Sequence, residues 1–215
     1  MAATFGASGL GFGALTGWAI QSSDPTEESQ RATAPNESGN VVESEIYDKT
    51  ENVTTTYKAA AKSPAPAVPA TLGAVVNGIT LLGISLSTDS EDWATMTLTG
   101  HVHVDGEHGT VRTLAHGITL DTGRGFGASR FGVTGGDSVR SSECSITCEH
   151  NDVQDEVGDT VAGENYDGKV EITARLLGSG GAAPAGYDLL ADGTEGSNTD
   201  YQYNTIRCIK NAPMV

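Results

Sequence analysis

The sequence predicts an all-β protein built from two similar halves, and three observations predict this fold class. The composition is rich in small, β-branched and turn-forming residues, with 28 glycines among 215 residues and a hydrophobic fraction of 37%, which favours strands and turns over helices. A long segment occurs twice. Short runs of Val, Ile, Thr and Tyr alternate with turn residues along most of the chain. We therefore expect duplicated small β-sandwich or β-barrel units with extended Gly/Pro-rich arms and at most one or two short helices.

The repeat relates "SGNVVESEIYDKTENVT" at 38–54 to "VGDTVAGENYDGKVEIT" at 157–173, which lies 119 positions later and aligns without a gap. About a quarter of the positions in and upstream of this segment are identical at that offset, as is typical of repeated architecture. We predict a first β repeat over 1–119, with an N-terminal arm and a Pro-rich connector at 58–70, and a second β repeat over 120–215.

Within each repeat, two strand-like runs are separated by turn residues. Residues 48–52 separate them in the first repeat, and Asp167-Gly168, a dipeptide typical of tight hairpin turns, separates them in the second. Each repeat is therefore predicted to be a hairpin that Gly39 or Gly158 opens and whose first strand ends at the repeated Tyr-Asp pair.

Further strands and one helix are predicted outside the hairpins. Asn77-Gly78 and residues 88–92 supply turns between strand-like runs, and residues 110–122 are predicted to add a strand pair. The C-terminal part echoes the first half loosely, with Asp92-Trp93 and Thr97-Leu98 matching Asp200-Tyr201 and Thr205-Ile206. A helix is predicted over 22–31, because Asp24-Pro25-Thr26-Glu27-Glu28 resembles an N-cap followed by Pro at the first helical position.

The charge and the cysteines exclude several classes of protein. With 28 acidic and 12 basic residues the formal net charge is −16, so sequence-specific nucleic-acid binding is excluded, whereas an acidic wall past which DNA slides is compatible. No apolar run reaches the length of a membrane span, and the segment after Met1 lacks the charged start of a secretory signal. Three sparse cysteines predict free thiols in a reducing compartment rather than a disulfide scaffold.

No motif singles out a catalytic site. A P-loop, a dinucleotide fingerprint and a GxSxG elbow are all missing from the sequence. The strongest candidate for chemistry is "GHVHVDGEHG", in which His101 and His103 alternate on one face of a strand. Glu107, His108 and His116 lie nearby in the sequence, and a third ligand would come from across a hairpin. Such a set would hold zinc in a metal-dependent hydrolase. Histidines beside Asp-Gly turns are commonly solvent-facing, so we expect no catalytic, cofactor-binding or metal-binding residue and no enzyme.

Three segments carry a resemblance to a family. "GNVVESEIYDKTENVTTTY" (39–57), "GDTVAGENYDGKVEITARL" (158–176) and "GITLLGISLSTDSEDWATMTLTGH" (78–101), about half of the chain, resemble virion structural proteins of tailed bacteriophages, the tail tube-like ones above all. That resemblance implies small β domains assembled into stacked rings around a DNA channel, usually six domains to a ring. A duplicated chain would then build the ring from three copies. Each half is shorter than a usual tube domain, and no long ring-stacking hairpin is obvious.

The resulting functional hypothesis is a non-enzymatic structural protein of a bacteriophage particle, which self-assembles into a tail tube or ring that conducts DNA. Its partners would be copies of itself as a trimer or hexamer, other virion proteins, and DNA that passes without specific binding; no membrane is involved. The chain would then reside in the virion after assembly in the host cytoplasm. The alternative is a capsid decoration or adhesion protein with two β domains, and a head-to-tail connector also stays open.

Overall fold

The computed structural model describes residues 11–103, 112–121, 123, 130–136, 138–154, 160–178, 180–195 and 201–215. This part of the chain is all-β, as predicted, and contains no helix. Its strands are β1 (Trp18–Pro35), β2 (Val41–Ala59), β3 (Thr71–Leu72), β4 (Val75–Val76), β5 (Ile79–Asp89), β6 (Thr95–His103), β7 (Leu114–Ala115), β8 (Ser138–Gln154), β9 (Thr160–Leu177), β10 (Asp188–Glu195) and β11 (Tyr203–Ala212). Accordingly, no described helix has the length and hydropathy of a membrane span.

Nine of these strands form one antiparallel sheet. Its order is β1-β2-β6-β5-β8-β9-β11-β10, and β4 pairs with β5 off this path. The short strands β3 and β7 form a separate two-stranded sheet. The halves at 1–119 and 120–215 therefore share a sheet, because the β5–β8 ladder connects them.

The helix predicted over 22–31 is wrong, since this segment lies inside β1. Asp24 pairs with Thr54 and Pro25 with Val53 of β2. β1 is the first strand of the sheet, and an edge strand is where proline is tolerated because one of its sides needs no hydrogen-bond donor. Pairing along the whole of β2 thus overrides a local signal that also fits a helix N-terminus.

The predicted hairpin turns are misplaced. In the first hairpin the chain reverses at 36–40, where the Asn36 side-chain oxygen accepts hydrogen bonds from the backbone N–H groups of Ser38 and Asn40 and Gly39 has a φ of 79°. The repeated Tyr-Asp pair lies in the middle of β2 and of β9. Asp167 has a φ of 50° there. This is the left-handed backbone conformation, which Asp adopts more readily than most residues, and here it lies at an irregularity within a long strand. The Asn77-Gly78 turn is confirmed, with positive φ at both residues.

The long hairpins β1–β2 and β8–β9 have the same register. A residue pair in the first hairpin becomes a residue pair in the second when both members are shifted by 119 positions. All three irregularities shift in the same way: Ile20/Ser22, Glu28/Gln30 and Ala34/Pro35 of β1 correspond to Val139/Ser141, Thr147/Glu149 and Val153/Gln154 of β8.

The other two strands of each half also correspond, at an offset of 108. The irregularity between Leu81 and Gly83 in β5 recurs between Leu189 and Ala191 in β10. The ladder β2–β6 has the register of β9–β11, since Thr54↔Thr99 corresponds to Thr173↔Arg207 under the two offsets. Each half thus contains four strands in the same order with the same three ladders, and we use "counterparts" below for residues related by these offsets.

The hydrophobic core is one cluster of buried side chains, which come from strands of both halves and from the segments that connect them. Its fully buried large side chains are Phe12, Tyr57, Leu72, Leu81, Ile84, Leu86, Met96, Leu98, Ile146, Ile172, Leu176 and Ile206. The Tyr57 hydroxyl donates to the Gly13 carbonyl at 2.8 Å, and the Trp18 indole donates to the Ala67 carbonyl at 2.6 Å. The described part of the predicted N-terminal arm and the Pro-rich connector therefore pack on their own chain; residues 1–10 lie outside the described part.

Of the strand pair predicted at 110–122, the described residues form only β7, which pairs with β3. The three cysteines are free, as predicted: Cys144 and Cys208 are buried and Cys148 is half-buried. Burial raises the pKa of Cys144 to about 12 and that of Cys148 to about 11.

Candidate functional site

Two long hairpins extend beyond the part of the sheet that their neighbours pair with. β6 pairs with β2 only from Thr50 to Lys58, so residues 30–47, here called the first arm, pair with each other but with no further described strand. The second arm, residues 149–166, has the same arrangement, since β5 and β11 pair with other parts of β8 and β9. A two-stranded ribbon alone is marginally stable in water, so each arm needs a surface to pack on.

The second arm has such a surface within its own chain. Asn165 is fully buried, and only 9% of the His150 side chain is exposed. His150 meets His101 of β6, with the two ring centroids 5.3 Å apart. The second half of the chain therefore places its arm over the first half.

A polar cluster of His101, His150 and Asp152 forms where the second arm meets β6. Asp152 Oδ1 lies 2.7 Å from His150 Nε2, and Asp152 Oδ2 lies 3.4 Å from His101 Nε2. One ligand atom from each of these three side chains lies within 4.8 Å of the others. Among the described residues this is the group whose donors could together hold a metal ion.

Two asparagines hold the imidazole rings in place. His101 Nδ1 lies 2.9 Å from Asn52 Oδ1, and His150 Nδ1 lies 2.6 Å from Asn165 Oδ1. The Asn165 amide nitrogen donates to the Arg112 carbonyl at 3.1 Å. This bond orients the Asn165 amide, so its oxygen faces His150.

The first arm differs from the second in being exposed. Its residues Arg31, Thr33 and Ile46 are the counterparts of His150, Asp152 and Asn165, and all three are exposed. Ile46 is 57% exposed, whereas Asn165 is 0% exposed. The two arms have the same register, and counterpart side chains lie on the same face of each arm. That face is covered by the first half in the second arm and is exposed in the first arm.

The surface that covers the second arm also has a counterpart. His101 and Asn52, paired across β6 and β2, correspond to Ile209 and Glu171, paired across β11 and β9. Glu171 accepts from Arg207 and lies 3.2 Å from Lys169, and these cations lower the pKa of its carboxyl group, with the Arg207 hydrogen bond as the main cause. The second half therefore presents an apolar and an acidic position where the first half presents His101 and Asn52.

The sheet has corresponding free edges as well. β1 and β10 are its outermost strands, whereas their counterparts β8 and β5 pair with each other in the middle. Leu189 and Leu190 of β10 are each 51% exposed. An unpaired strand edge is a template for pairing with another chain.

The histidines predicted from sequence are separated by the fold. His101 joins the cluster, while the His103 side chain, Glu107 and His108 lie outside the described residues. His116 lies elsewhere: its Nδ1 accepts from the Ile118 N–H and its Nε2 faces the Pro69 carbonyl at 2.7 Å. Burial lowers the pKa of His116, consistent with a neutral packing histidine.

Sequence reasoning missed His150 and Asp152. They alternate on one face of β8 as His101 and His103 alternate on β6, so the same spacing that drew attention to "HVH" is present in "HND". No protein-family model matches the chain, and a search of curated proteins found no match.

Proposed function

We propose that this protein is a non-enzymatic structural protein that assembles with copies of itself, head to tail, into a ring or tube. The observation that carries the proposal is that a four-stranded unit occurs twice with the same strand order and ladder registers. One junction between such units, β5 with β8, is formed inside the chain. Duplication of an ancestral unit accounts for this arrangement. The outer edges β10 and β1 are then the two sides of an equivalent junction between chains.

The register of the junction between chains follows from the one inside the chain. Leu86 pairs with Cys144 in the β5–β8 ladder. Their counterparts are Thr194 of β10 and Pro25 of β1, which would face each other when β10 of one copy pairs with β1 of the next. Pro25 has no N–H, so the ladder between chains would have one hydrogen bond fewer at this position than the ladder inside the chain. A contact of this heterologous kind repeats with a constant rotation, so it closes into a ring or continues as a helical tube.

The arms support the same direction of assembly. With β10 paired to β1 of the next copy, the first arm of that copy lies over the second half as the second arm lies over the first. The His101–His150 contact inside the chain becomes Ile209–Arg31 between chains, so Arg31, with its partner Ile46, would approach Ile209 and the neighbouring Glu171. This brings a cation near a carboxylate and an apolar side chain near an isoleucine, which is the complementarity expected of a surface that binds its own kind.

The resemblance to tail tube-like virion proteins is the context we propose for this assembly. A ring of six units would need three copies of the chain. An acidic wall repels phosphate and lets DNA pass, and the net charge of −16 is compatible with such a channel. The two long hairpins, not obvious in the sequence, provide elements long enough to reach neighbouring subunits.

An engineered disulfide tests the proposed junction. A chain with Pro25→Cys and Thr194→Cys should form covalent dimers and higher multimers on oxidation, seen as a ladder on non-reducing gels. The native thiols Cys144 and Cys208 are buried and should not interfere. The matched control combines Asp24→Cys with Thr194→Cys, because a shift of one residue turns the side chain to the opposite face of a strand.

Electron microscopy of the oxidised protein supplies the second readout. Rings or tubes support the proposal. Equal cross-linking by both cysteine pairs, or particles that stay monomeric at high concentration, would overturn it and favour the decoration or adhesion module.

A further inference from the structure

We propose that His101, His150 and Asp152 form a binding site for a divalent transition metal, with Zn²⁺ as the ion their chemistry fits best. Two imidazole nitrogens and a carboxylate are a common zinc donor set, with water or another ligand completing a tetrahedron. The site does not depend on self-assembly, because all three residues belong to one chain.

The asparagine partners define which nitrogen of each ring faces Asp152. An amide oxygen only accepts hydrogen bonds, so Nδ1 of His150, which faces Asn165 Oδ1, carries the proton. The same holds for His101 Nδ1 beside Asn52 Oδ1. In each neutral ring, Nε2 is then the atom with the lone pair. A second partner that fixes the tautomer in this way is typical of metal-binding histidines.

Both Nε2 atoms lie near the same carboxylate, one beside each of its oxygens. Asp152 Oδ1 lies 2.7 Å from His150 Nε2 and Asp152 Oδ2 lies 3.4 Å from His101 Nε2. Two lone pairs and an anion at such distances repel each other, so either a proton on one Nε2 or a bound metal ion must lie among them. Zinc bonds of about 2.0 Å place tetrahedral ligand atoms about 3.3 Å apart, a separation that the two measured distances bracket.

The burial of the cluster favours a specific ion over loose counter-ions. The side chains of His101 and His150 are 11% and 9% exposed and that of Asp152 is 19% exposed, unlike the acidic residues that cover the surface. The counterparts of the three ligands are Ile209, Arg31 and Thr33, which include only one possible donor, a threonine hydroxyl. We therefore expect one ion per chain, and it would fasten the second arm to β6.

Metal-free protein, prepared with a chelator that is then removed, tests the site. Equilibrium dialysis against Zn²⁺ followed by elemental analysis should give one ion per chain. Co²⁺ should give the intense visible absorption of a tetrahedral site. A hundredfold excess of Zn²⁺ over its Kd should raise the Tm by about 5 °C or more, while Mg²⁺, a hard cation that prefers oxygen ligands, should not.

Variants separate this site from surface binding. His150→Ala and Asp152→Asn should each weaken Zn²⁺ binding at least tenfold. The matched control is Glu149→Gln, which removes a carboxylate from the neighbouring, outward-facing position of the same strand and should leave binding unchanged. Should His150→Ala fail to fold, dialysis and Co²⁺ absorption on the unaltered chain still decide the matter. Less than stoichiometric Zn²⁺, a Co²⁺ spectrum like that of the free ion, or equal effects of Asp152→Asn and Glu149→Gln would overturn the proposal.

Discussion

His101 shows how far single residues could be interpreted from the sequence. Its alternation with His103 marked β6 as a place for metal chemistry, yet its partners lie about fifty positions later on β8. Which strands become neighbours depends on non-local pairing, and β5–β8 pairing is what brings the second arm to β6. A spacing pattern identifies donors on one strand, but it cannot identify which second strand faces them.

Buried thiols give the protein a specific response to alkaline pH. Burial raises the pKa of Cys144 from 9.0 to about 12. Between these values the unfolded chain releases the thiol proton and the folded chain keeps it, so the free energy of unfolding falls as pH rises and is unaffected by this group below pH 9. At pH 10.5 the loss from Cys144 should be about 2 kcal/mol relative to neutral pH.

Urea unfolding between pH 7.5 and 10.5, with a reductant present, measures this loss. The variant Cys144→Ala should be less stable at neutral pH because it loses a buried sulfur, but its stability should fall less steeply above pH 9. Identical slopes in the variant and the original chain would show that Cys144 does not cause the alkaline loss.

At the scale of elements, local sequence signals predicted that the chain forms strands and where some turns lie, but they did not predict how long the strands are. Asn77-Gly78 was predicted correctly because a two-residue turn with positive φ has few alternative sequences. The Tyr-Asp repeat and Asp167-Gly168 were misinterpreted as strand ends, since the same residue types also serve irregularities within a long strand. Asp24-Pro25 has the same ambiguity between a helix start and an edge strand.

The first arm provides an element-scale prediction. Ile46→Ser should weaken self-association about tenfold, because the counterpart Asn165 is buried and Ile46 would lose its apolar contact in the junction between chains. The Tm of the monomer should not change, since Ile46 is 57% exposed in the single chain. Sedimentation velocity over a concentration series measures the association.

Ala32→Ser is the matched control for that experiment. Ala32 is also exposed and lies next to Arg31 on the other strand of the same arm, so its side chain points to the face opposite the Arg31–Ile46 pair. It should associate like the original chain. Equal weakening by both substitutions would indicate non-specific apolar contact and contradict the proposed arm position.

At the scale of the whole molecule, the repeat in the sequence indicated two related halves but not that they share one sheet. The most similar segments, 38–54 and 157–173, lie mostly in β2 and β9, while the junction strands β5 and β8 show no evident similarity because they belong to different positions of the unit. The offset between the halves also changes from 119 to 108. The correspondence of β6 with β11 was therefore visible only as the faint echo of Asp92-Trp93 and Thr97-Leu98 at Asp200-Tyr201 and Thr205-Ile206.

The net charge of −16 predicts how assembly depends on salt. The Ile84↔Ile146 pair inside the chain has Asp192 and Glu27 as its counterparts, so the proposed junction pairs two acidic positions in register. Acidic residues at paired positions of neighbouring strands are destabilising. Whole chains of this charge also repel each other at long range, over about 10 Å at 0.1 M salt. The association constant should therefore rise at least tenfold between 20 mM and 500 mM NaCl, measured by sedimentation or light scattering.

The double variant Glu27→Gln/Asp192→Asn should associate at low salt. The control Glu37→Gln/Glu43→Gln makes an equal charge change on the turn and the outward face of the first arm, and it should raise the association constant less. Association that weakens with salt would mean that oppositely charged surfaces, and not the β1 and β10 edges, join the copies.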